Sequence, residues 1–358
     1  MATRFLSSKL DRLAESGIDI HPIGLFELDQ FSPIGDRPVV IVDLNAAKAA
    51  SIAAQFRHLH HAVILGVESE VSGVEHDCDA YDVLLTTSPE RGAPYVEVAP
   101  DALHTTVTRL EKQIRANPAA AMILCQVLRM GEALSYDQAL LLESLAYATL
   151  LGGGEFKRWL ESRATARSQV VDLSEPLVLI EREQNCVRLT LNSPGTRNAM
   201  SAGMRDALFE CLANVVEDPT EPSLVLRAQG KCFSVGGDLA EFGSATDLAL
   251  AHSVRTLRSC AQLLADLGDR ASVVVHGACI GSGIEIAAAA AHRIATAGTY
   301  VHLPEVGMGL IPGAGGTVSL PAAIGRHRTA YLALSGKRIR AETISDWGLF
   351  EHHDVSQP

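Results

Sequence analysis

Two glycine-containing turns in the second half of the chain could stabilise negative charge on a substrate. The first spans residues 234–238 (SVGGD), and the second spans residues 281–283 (GSG), at the start of a predicted helix that contains Glu285. Glycine lets a ligand approach the backbone closely, and the first N–H groups of a helix have no partner inside the helix. Two such donors converging on one carbonyl oxygen would form an oxyanion hole, which suits enolate chemistry. Either turn alone could equally be a tight connection between a strand and a helix.

Two further features accompany these turns. Asp238 is placed to cap the LAEF turn that follows it, and Glu241 would complete a capping box. The GAGG at residues 313–316 has the composition of a nucleotide-binding loop, but no strand precedes it in a GxGxxG or GxxxxGK(S/T) context. The Rossmann and P-loop interpretations are therefore set aside.

The elements around the turns alternate between strands and helices. LVLIEREQNCVRLTLN predicts a hairpin, and SLVLRAQ and ASVVVHGA predict single strands. Met204, Leu208 and Leu212 mark the apolar face of one helix, and Val254 and Leu257 that of another, which would continue to Leu264. An Ala-rich helix, IEIAAAAA, follows the second turn. This order favours stacked βαβ-type units over a sandwich or a bundle.

The first half of the chain has its own α/β pattern. VVIVDL, AVILGV and DVLLTT predict strands, with the helix-like AAKAASIAAQFRHL between the first two. Residues 104–163 predict helices, among them ALLLESLAYATLL, which stops at the glycines 152–154, and EFKRWLESR. A polar stretch at 164–168 is interpreted as a linker. The sequence therefore predicts an α/β protein with an N-terminal α/β and helical domain at 1–168 and a second domain at 169–358.

Composition limits the class of partner. The formal net charge of -12 argues against nucleic acid, because phosphate contacts require a basic face, but it leaves room for a phosphate-bearing small molecule held by local cations. The seven cysteines show neither CxxC pairs nor metal-type clustering, so they are interpreted as small core residues. Apolar runs such as VVIVDL are too short to cross a membrane, and the N-terminus lacks the apolar core of a secretory signal. A cytoplasmic protein is expected.

An ordered set of segments from about Pro176 to Val355 resembles the crotonase (enoyl-CoA hydratase/isomerase) superfamily. The segments are RNAM at 197–200, KCFSVGGDL, HGACIGSGIEIAAAAAHRIAT, HLPEVGMGLIPGAGGTVSLPAAIGR and LSGKRIRAETISDWGL. The resemblance implies a crotonase-like core of stacked ββα units arranged in a spiral.

The resemblance also implies which residues act. Gly237 and Ser282 would supply the two oxyanion N–H groups, and Glu285 and Glu305 would be the catalytic carboxylates. Most hydratases have glycine where Ser282 stands, but a backbone donor tolerates serine if the local dihedrals permit it. Two carboxylates across one small substrate suit general acid–base catalysis. Without the family context, Glu285 would be a helix-N-terminal acid and Glu305 a loop carboxylate bonded to backbone.

The same resemblance implies a surface for coenzyme A. Its members are Arg197, Ala199, Asp238, Leu239 and Ala240. Many relatives have lysine where Ala240 stands, which puts one of these contacts in doubt.

The implied activity is addition or removal of water on a 2-enoyl-CoA, without a metal or a redox cofactor, with coenzyme A entering as part of the substrate. Enoyl-CoA isomerase, C–C bond hydrolase and thioester hydrolase are the alternatives within the family, and a non-catalytic acyl-CoA-binding subunit is the alternative outside enzymology. The expected partners are the acyl-CoA and other protein subunits, as a homo-oligomer (trimer or hexamer) or as a pair with another crotonase-like chain, with neither nucleic acid nor membrane.

The segment that resembles the family ends at WGLFEHHDV, where relatives continue into helices that cover the site. The upstream segments LLLESLAYATLLGGGEF and KRWLESR resemble those terminal helices. We therefore hypothesise that residues 1–168 are a shortened, degenerate crotonase copy whose helical end closes the C-terminal site. An unrelated α/β appendage is the alternative.

Overall fold

A computed structural model describes residues 25–46, 49, 60–70, 75–163 and 175–351. The predicted linker at 164–168 lies outside these residues, as does the predicted helix between the first two strands apart from Ala49. By internal contacts the chain divides into two compact units, Met1–Arg129 with Gly325–Ser335, and Met130–Ile324 with Gly336–Pro358. The division at residue 168 stays a prediction.

The described strands and helices are numbered in chain order. The strands are β1 (Val39–Asp43), β2 (Val63–Glu68), β3 (Val83–Thr86), β4 (Val96–Glu97), β5 (Val178–Glu183), β6 (Cys186–Leu191), β7 (Ser223–Ala228), β8 (Ala271–Val275), β9 (Ala278–Ile280), β10 (His292–Ala295), β11 (Tyr300–His302) and β12 (Ile339–Arg340). The helices are α1 (Leu103–Ala116), α2 (Pro118–Gly131), α3 (Tyr136–Leu151), α4 (Gly154–Ser162), α5 (Ala202–Val216), α6 (Leu248–Leu257), α7 (Cys260–Leu267), α8 (Ser282–Ala287), α9 (Gly316–Ile324), α10 (Arg326–Ser335) and α11 (Ala341–Ser345).

The first unit is built on a parallel four-stranded sheet in the order β1-β2-β3-β4. Every residue of β2 and β3 is buried, which explains why their sequences are continuous apolar runs rather than alternating ones. Tyr81 and Leu84 belong to the apolar cluster of this sheet. α10 returns to this unit and packs against α1 and β3.

The second unit contains a five-stranded sheet in the order β10-β8-β7-β6-β5 and a three-stranded sheet in the order β12-β11-β9. β5 and β6 form the predicted antiparallel hairpin, and the other pairs of the larger sheet are parallel. The predicted strands β7 and β8 are confirmed. The unit is thus α/β, as the sequence predicted, and the second glycine turn directly follows β9.

Two predicted elements differ from the structure. The helix expected to contain both Val254 and Leu264 is two helices, because Ser259 accepts a hydrogen bond from the Gln262 N–H and starts α7. Leu257, at the end of α6, is 75% exposed rather than on an apolar face. The Ala-rich helix is also shorter than predicted, since α8 ends at Ala287. No helix among the described residues combines the length and the apolar character needed to cross a bilayer.

Candidate functional site

The second unit contains a cavity of about 720 Å³. Its walls come from α3, the first glycine turn, α6, the second glycine turn and the loop at 313–315. Gly237, Ser282, Glu285 and Glu305 all line it. The four residues predicted to act at the substrate carbonyl and its neighbouring carbons therefore lie around one space.

The two glycine turns lie side by side. Ile280 N–H donates to the Ser234 carbonyl at 3.1 Å, and a Cβ on Gly236 would lie 2.7 Å from the Ile280 carbonyl oxygen. Gly236 also has a φ of +85°, so both its conformation and its surroundings require glycine. Within the part of the chain that the structure describes, the N–H groups of Gly237 and Ser282 donate to no protein group. Two backbone donors are thus available at the cavity wall.

Glu285 lies in the first turn of α8 and is 2% exposed. Its Oε2 accepts hydrogen bonds from Ala314 N–H at 2.7 Å and Gly316 N–H at 3.1 Å. A Cβ on Gly316 would lie 2.6 Å from Glu285 Cγ, so the loop can approach this side chain only because glycine stands there. Burial raises the pKa of Glu285 well above its ordinary value, and the neighbouring carboxylates Glu305 and Glu143 raise it further.

Glu305 begins a 3₁₀ turn, Glu305–Met308, and is 8% exposed. Its Oε2 is buried without a hydrogen-bond partner among the described residues. A Cβ on Gly281 would lie 2.6 Å from the other oxygen, Oε1, so this carboxylate faces the second glycine turn. Burial raises the pKa of Glu305 to about 8. A carboxyl group with this pKa can hold a proton near neutral pH and release it, which is what general acid–base catalysis requires.

A third buried carboxylate, Glu143 on α3, also lines the cavity and was not predicted from the sequence. Its Oε1 accepts from Gly315 N–H at 2.7 Å, and its Oε2 accepts from Thr317 N–H at 2.8 Å and Thr317 Oγ1 at 2.7 Å. Burial raises the pKa of Glu143 to about 6. The available signal was a single acid inside the apolar run LLLESLAYATLL.

α3 is held beside the cavity by α6. Arg255 Nη1 donates to Ser144 Oγ at 2.9 Å, and its guanidinium lies 4.4 Å from the centroid of the Tyr147 ring. His252 Nδ1 forms a second hydrogen bond with Ser144 Oγ at 2.9 Å. The upstream helix is therefore part of the cavity wall.

α4 supports the first glycine turn through aromatic packing. Phe156 stacks on Trp159 with ring centroids 5.7 Å apart, and Trp159 meets Phe242 edge-on at 5.9 Å. A Cβ on Gly237 would lie 2.7 Å from the Phe242 ring, and Arg163 donates to the Leu239 carbonyl at 2.5 Å. α3 thus contacts the loop at 313–315, and α4 and Arg163 contact the residues that follow the first glycine turn.

The residues predicted to bind coenzyme A lie beside the first glycine turn but do not line the cavity. Arg197 is exposed in a left-handed conformation (φ +58°), and its carbonyl accepts from Val235 N–H at 3.2 Å. Asp238 Oδ1 accepts from Ala240 N–H, and Leu239 is 44% exposed. Ala199 is half-buried. The role of these residues at coenzyme A stays a prediction.

The predicted capping box is wrong. Glu241 Oε2 accepts from Ala202 N–H at 2.8 Å, at the start of α5, and residues 238–242 form turns rather than a helix. The GAGG segment at 313–316 provides N–H groups that hold two buried glutamates.

Comparison with known proteins points to one family. The family profile described as Enoyl-CoA hydratase/isomerase matches residues 186–357. A Bacillus subtilis (strain 168) protein named as an enoyl-CoA hydratase/isomerase, YngF, is 32% identical over 181 residues, which are 50% of this chain and 70% of that protein. The 1,2-epoxyphenylacetyl-CoA isomerase of Escherichia coli (strain K12) is 33% identical over 48% of this chain and 67% of its own length. The enoyl-CoA isomerase/hydratase fer4 of Mycosarcoma maydis is 33% identical, with 46% of this chain and 63% of the relative covered.

Among solved structures, the enoyl-CoA hydratase from Thermoplasma volcanium GSS1 matches 49% of this chain and 71% of its own, with 33% identity and a TM-score of 0.44. The matched relatives thus correspond to about half of this chain, and the chain covers between 63% and 70% of the three proteins named above.

Proposed function

Since the chain belongs to the enoyl-CoA hydratase/isomerase family, we propose that it adds water to, or removes water from, a 2-enoyl-CoA thioester in this cavity. The observation that carries the proposal is the convergence of Gly237, Ser282, Glu285 and Glu305 on one space. Fold and family alone would not select a reaction, so the proposal depends on these groups.

The N–H groups of Gly237 and Ser282 act first, by donating hydrogen bonds to the thioester carbonyl oxygen. As negative charge develops on that oxygen, two preorganised donors stabilise the enolate-like state more strongly than they stabilise the substrate. The N–H groups of Gly237 and Ser282 have no acceptor among the described residues, which supports this role.

The carboxylate pair then handles the protons. The ionised member takes a proton from water as the water oxygen bonds to Cβ, and the protonated member delivers its proton to Cα. One water is consumed, and the pair carries one proton before and after the reaction. Two adjacent buried carboxylates with raised pKa values are suited to this exchange, because repulsion disfavours the doubly ionised state.

The upstream helices α3 and α4 contribute to the proposed enzyme. In this chain Leu140, Glu143 and Tyr147 of α3 form part of the cavity wall. This supports the hypothesis that the helical end of the first half closes the site, and it weakens the case for a non-catalytic acyl-CoA-binding subunit. Coenzyme A as part of the substrate, and assembly as a homo-oligomer or with another crotonase-like chain, belong to the same proposal.

The direct test is hydration of crotonyl-CoA and of longer and aromatic 2-enoyl-CoAs by the full chain, followed as loss of the absorbance of the conjugated thioester. We expect turnover with at least one member of this panel. Glu285→Gln and Glu305→Gln should each abolish most of it, whereas Glu161→Gln, on the exposed side of α4, should leave it unchanged. Binding of these esters without turnover by the wild-type chain would overturn the hydratase proposal and favour the binding subunit.

Isomerisation of the double bond is the second candidate, because the Mycosarcoma relative is named as an enoyl-CoA isomerase/hydratase. One carboxylate would then remove a proton from Cα and return it to Cγ, with the same oxyanion donors. Incubation with a 3-enoyl-CoA distinguishes the two reactions. If the absorbance of the conjugated thioester rises with a 3-enoyl-CoA, and this rate exceeds the rate of hydration of the 2-enoyl-CoA, the main activity is isomerisation.

A further inference from the structure

The 314–317 loop, which runs into the first two residues of α9, donates hydrogen bonds to two buried carboxylates. Ala314 N–H and Gly316 N–H donate to Glu285, whereas the alternate groups, Gly315 N–H and Thr317 N–H, donate to Glu143. The four N–H···O distances lie between 2.7 and 3.1 Å. Four successive backbone donors are therefore divided in strict alternation between a predicted catalytic residue and a residue of an upstream helix.

This alternation depends on the local backbone. Gly315 has a φ of +103°, which side-chain-bearing residues rarely adopt. The N–H groups at the start of α9 have no partners within that helix, and its dipole favours negative charge there. The loop can hold two anions, and removal of either one would leave two buried donors unsatisfied.

The charge of Glu143 is not needed merely to satisfy the backbone N–H groups that it accepts from. It is 2% exposed, and no Lys, Arg or His of the described residues forms an ion pair with it, although the charge of Arg255 on α6 acts to lower its pKa. A buried acid without a cation in contact is costly, and serine, asparagine or glutamine could satisfy single N–H groups without that cost. The two carboxylates are linked through the four successive N–H groups of residues 314–317, and the charge of Glu143 acts to raise the pKa of Glu285.

We propose that Glu143 is a positioning residue for Glu285: by holding the alternate N–H groups of the 314–317 loop, it fixes the orientation of the catalytic carboxylate and places a second negative charge beside it. The inference rests on the proposed function, because it assumes that Glu285 exchanges protons with the substrate. It also assigns α3 a part in catalysis rather than only in covering the cavity.

The test compares two substitutions in the full chain. Glu143→Gln keeps the side-chain size but removes the charge and places an amide NH₂ against a backbone donor. Thr317→Val removes only the Oγ1 hydrogen bond and keeps the charge, so it is the matched control. Hydration of crotonyl-CoA is measured from pH 5.5 to 9.5, with kcat and KM separated.

For Glu143→Gln we expect kcat to fall about 10- to 100-fold with KM little changed, as misplacement of a catalytic group predicts. The limb of the pH profile that depends on Glu285 should move to lower pH by about one unit, because a like charge that opposed ionisation has gone. Thr317→Val should leave that limb in place. Glu143→Asp, which restores the charge on a shorter side chain, should return the limb to its wild-type position while kcat stays reduced.

A readout that does not require turnover separates this inference from the proposed function. In protein labelled with ¹³C at the glutamate carboxyl carbons, the signal that is absent from Glu285→Gln identifies Glu285, and its titration midpoint is compared between wild type and Glu143→Gln. A lower midpoint in Glu143→Gln supports the inference even if crotonyl-CoA is not the substrate. An unchanged midpoint, or a loss of kcat that Thr317→Val reproduces in full, would overturn it. Circular dichroism and thermal unfolding confirm that the variants compared are folded.

Discussion

The two compact units bury acidic side chains in different ways. In the first, Glu68 and Asp82 are at most 2% exposed, and each is paired with an arginine: Arg91 with Glu68, and Arg129 with Asp82. Thr86 Oγ1 also donates to Glu68 at 3.0 Å, and Ile64 N–H donates to Asp82 at 2.8 Å. These carboxylates are fully satisfied.

In the second unit, the three carboxylates at the cavity have no ion-paired cation among the described residues. Backbone N–H groups hold Glu143 and Glu285, and Oε2 of Glu305 has no hydrogen-bond partner in the part of the chain that the structure describes. Burial raises the pKa of all three. Removing the cation from a buried ion pair would leave an unpaired charge and destabilise the fold, whereas buried acids with raised pKa values are candidates for proton transfer. The comparison therefore separates carboxylates paired with arginine from the carboxylates that we propose exchange protons with the substrate.

The largest expected effect contrasts the same substitution in the two units. Glu305→Gln should lower the kcat for enoyl-CoA hydration by about 10³-fold, because it removes one of the two proposed proton-transfer groups. Glu68→Gln should leave kcat unchanged, since the cavity is lined by residues of the second unit only. Steady-state rates with crotonyl-CoA provide the measurement, and equal losses in both variants would remove the distinction.

The next effect is a loss of stability, without a loss of activity, from a substitution in the first unit. Arg91→Met leaves Glu68 buried without its cation and should reduce the free energy of unfolding by about 3 kcal/mol. Calorimetry should detect this as a lower Tm, with hydration by the folded fraction unaffected. A Tm equal to that of the wild type would mean that the Arg91 pair contributes nothing to the first unit.

A smaller effect concerns stability as a function of pH. The pKa of Glu305 rises from 4.5 to about 8 on folding, so its contribution to stability is fully present below pH 4.5 and is lost as pH rises through about 8. In that window each such group lowers the free energy of unfolding by about 1.4 kcal/mol per pH unit. When the pH is raised from 5.5 to 7.5, the free energy of unfolding should therefore fall by about 3 kcal/mol less in Glu305→Gln than in the wild type. Urea denaturation at the two pH values provides the measurement. Parallel pH dependences in the two proteins would show that Glu305 titrates normally.

The smallest effect is expected at Ser282. Its Oγ is buried without a partner among the described residues, so Ser282→Ala should stabilise the fold by about 1 kcal/mol or leave it unchanged. The kcat for hydration should stay within about twofold of wild type, because the proposed donor is the backbone N–H. A large loss of kcat would assign the reaction to the hydroxyl and remove the backbone role proposed for this turn.

Local pattern predicted most of the framework of this protein. The apolar runs at β1, β2 and β3, the β5–β6 hairpin and the glycines that end α3 were all recognisable, because strand burial and helix termination depend on neighbouring residues. The split between α6 and α7 and the true partner of Glu241 were not predicted. Both depend on which of several possible capping hydrogen bonds forms. Glu241 accepts its hydrogen bond from a residue 39 positions away in the chain.

The sequence by itself determined the α/β class, the two glycine turns and, through its resemblance to a family, the pair Glu285 and Glu305. Only the tertiary structure decided that Glu143 joins them, since its bonds to Gly315 and Thr317 cross more than 170 residues of chain. The proton affinities of the three carboxylates were likewise decided by the fold. Desolvation and charge repulsion act through space, so the ionisation of a glutamate depends on what surrounds it in three dimensions rather than on its neighbours along the chain.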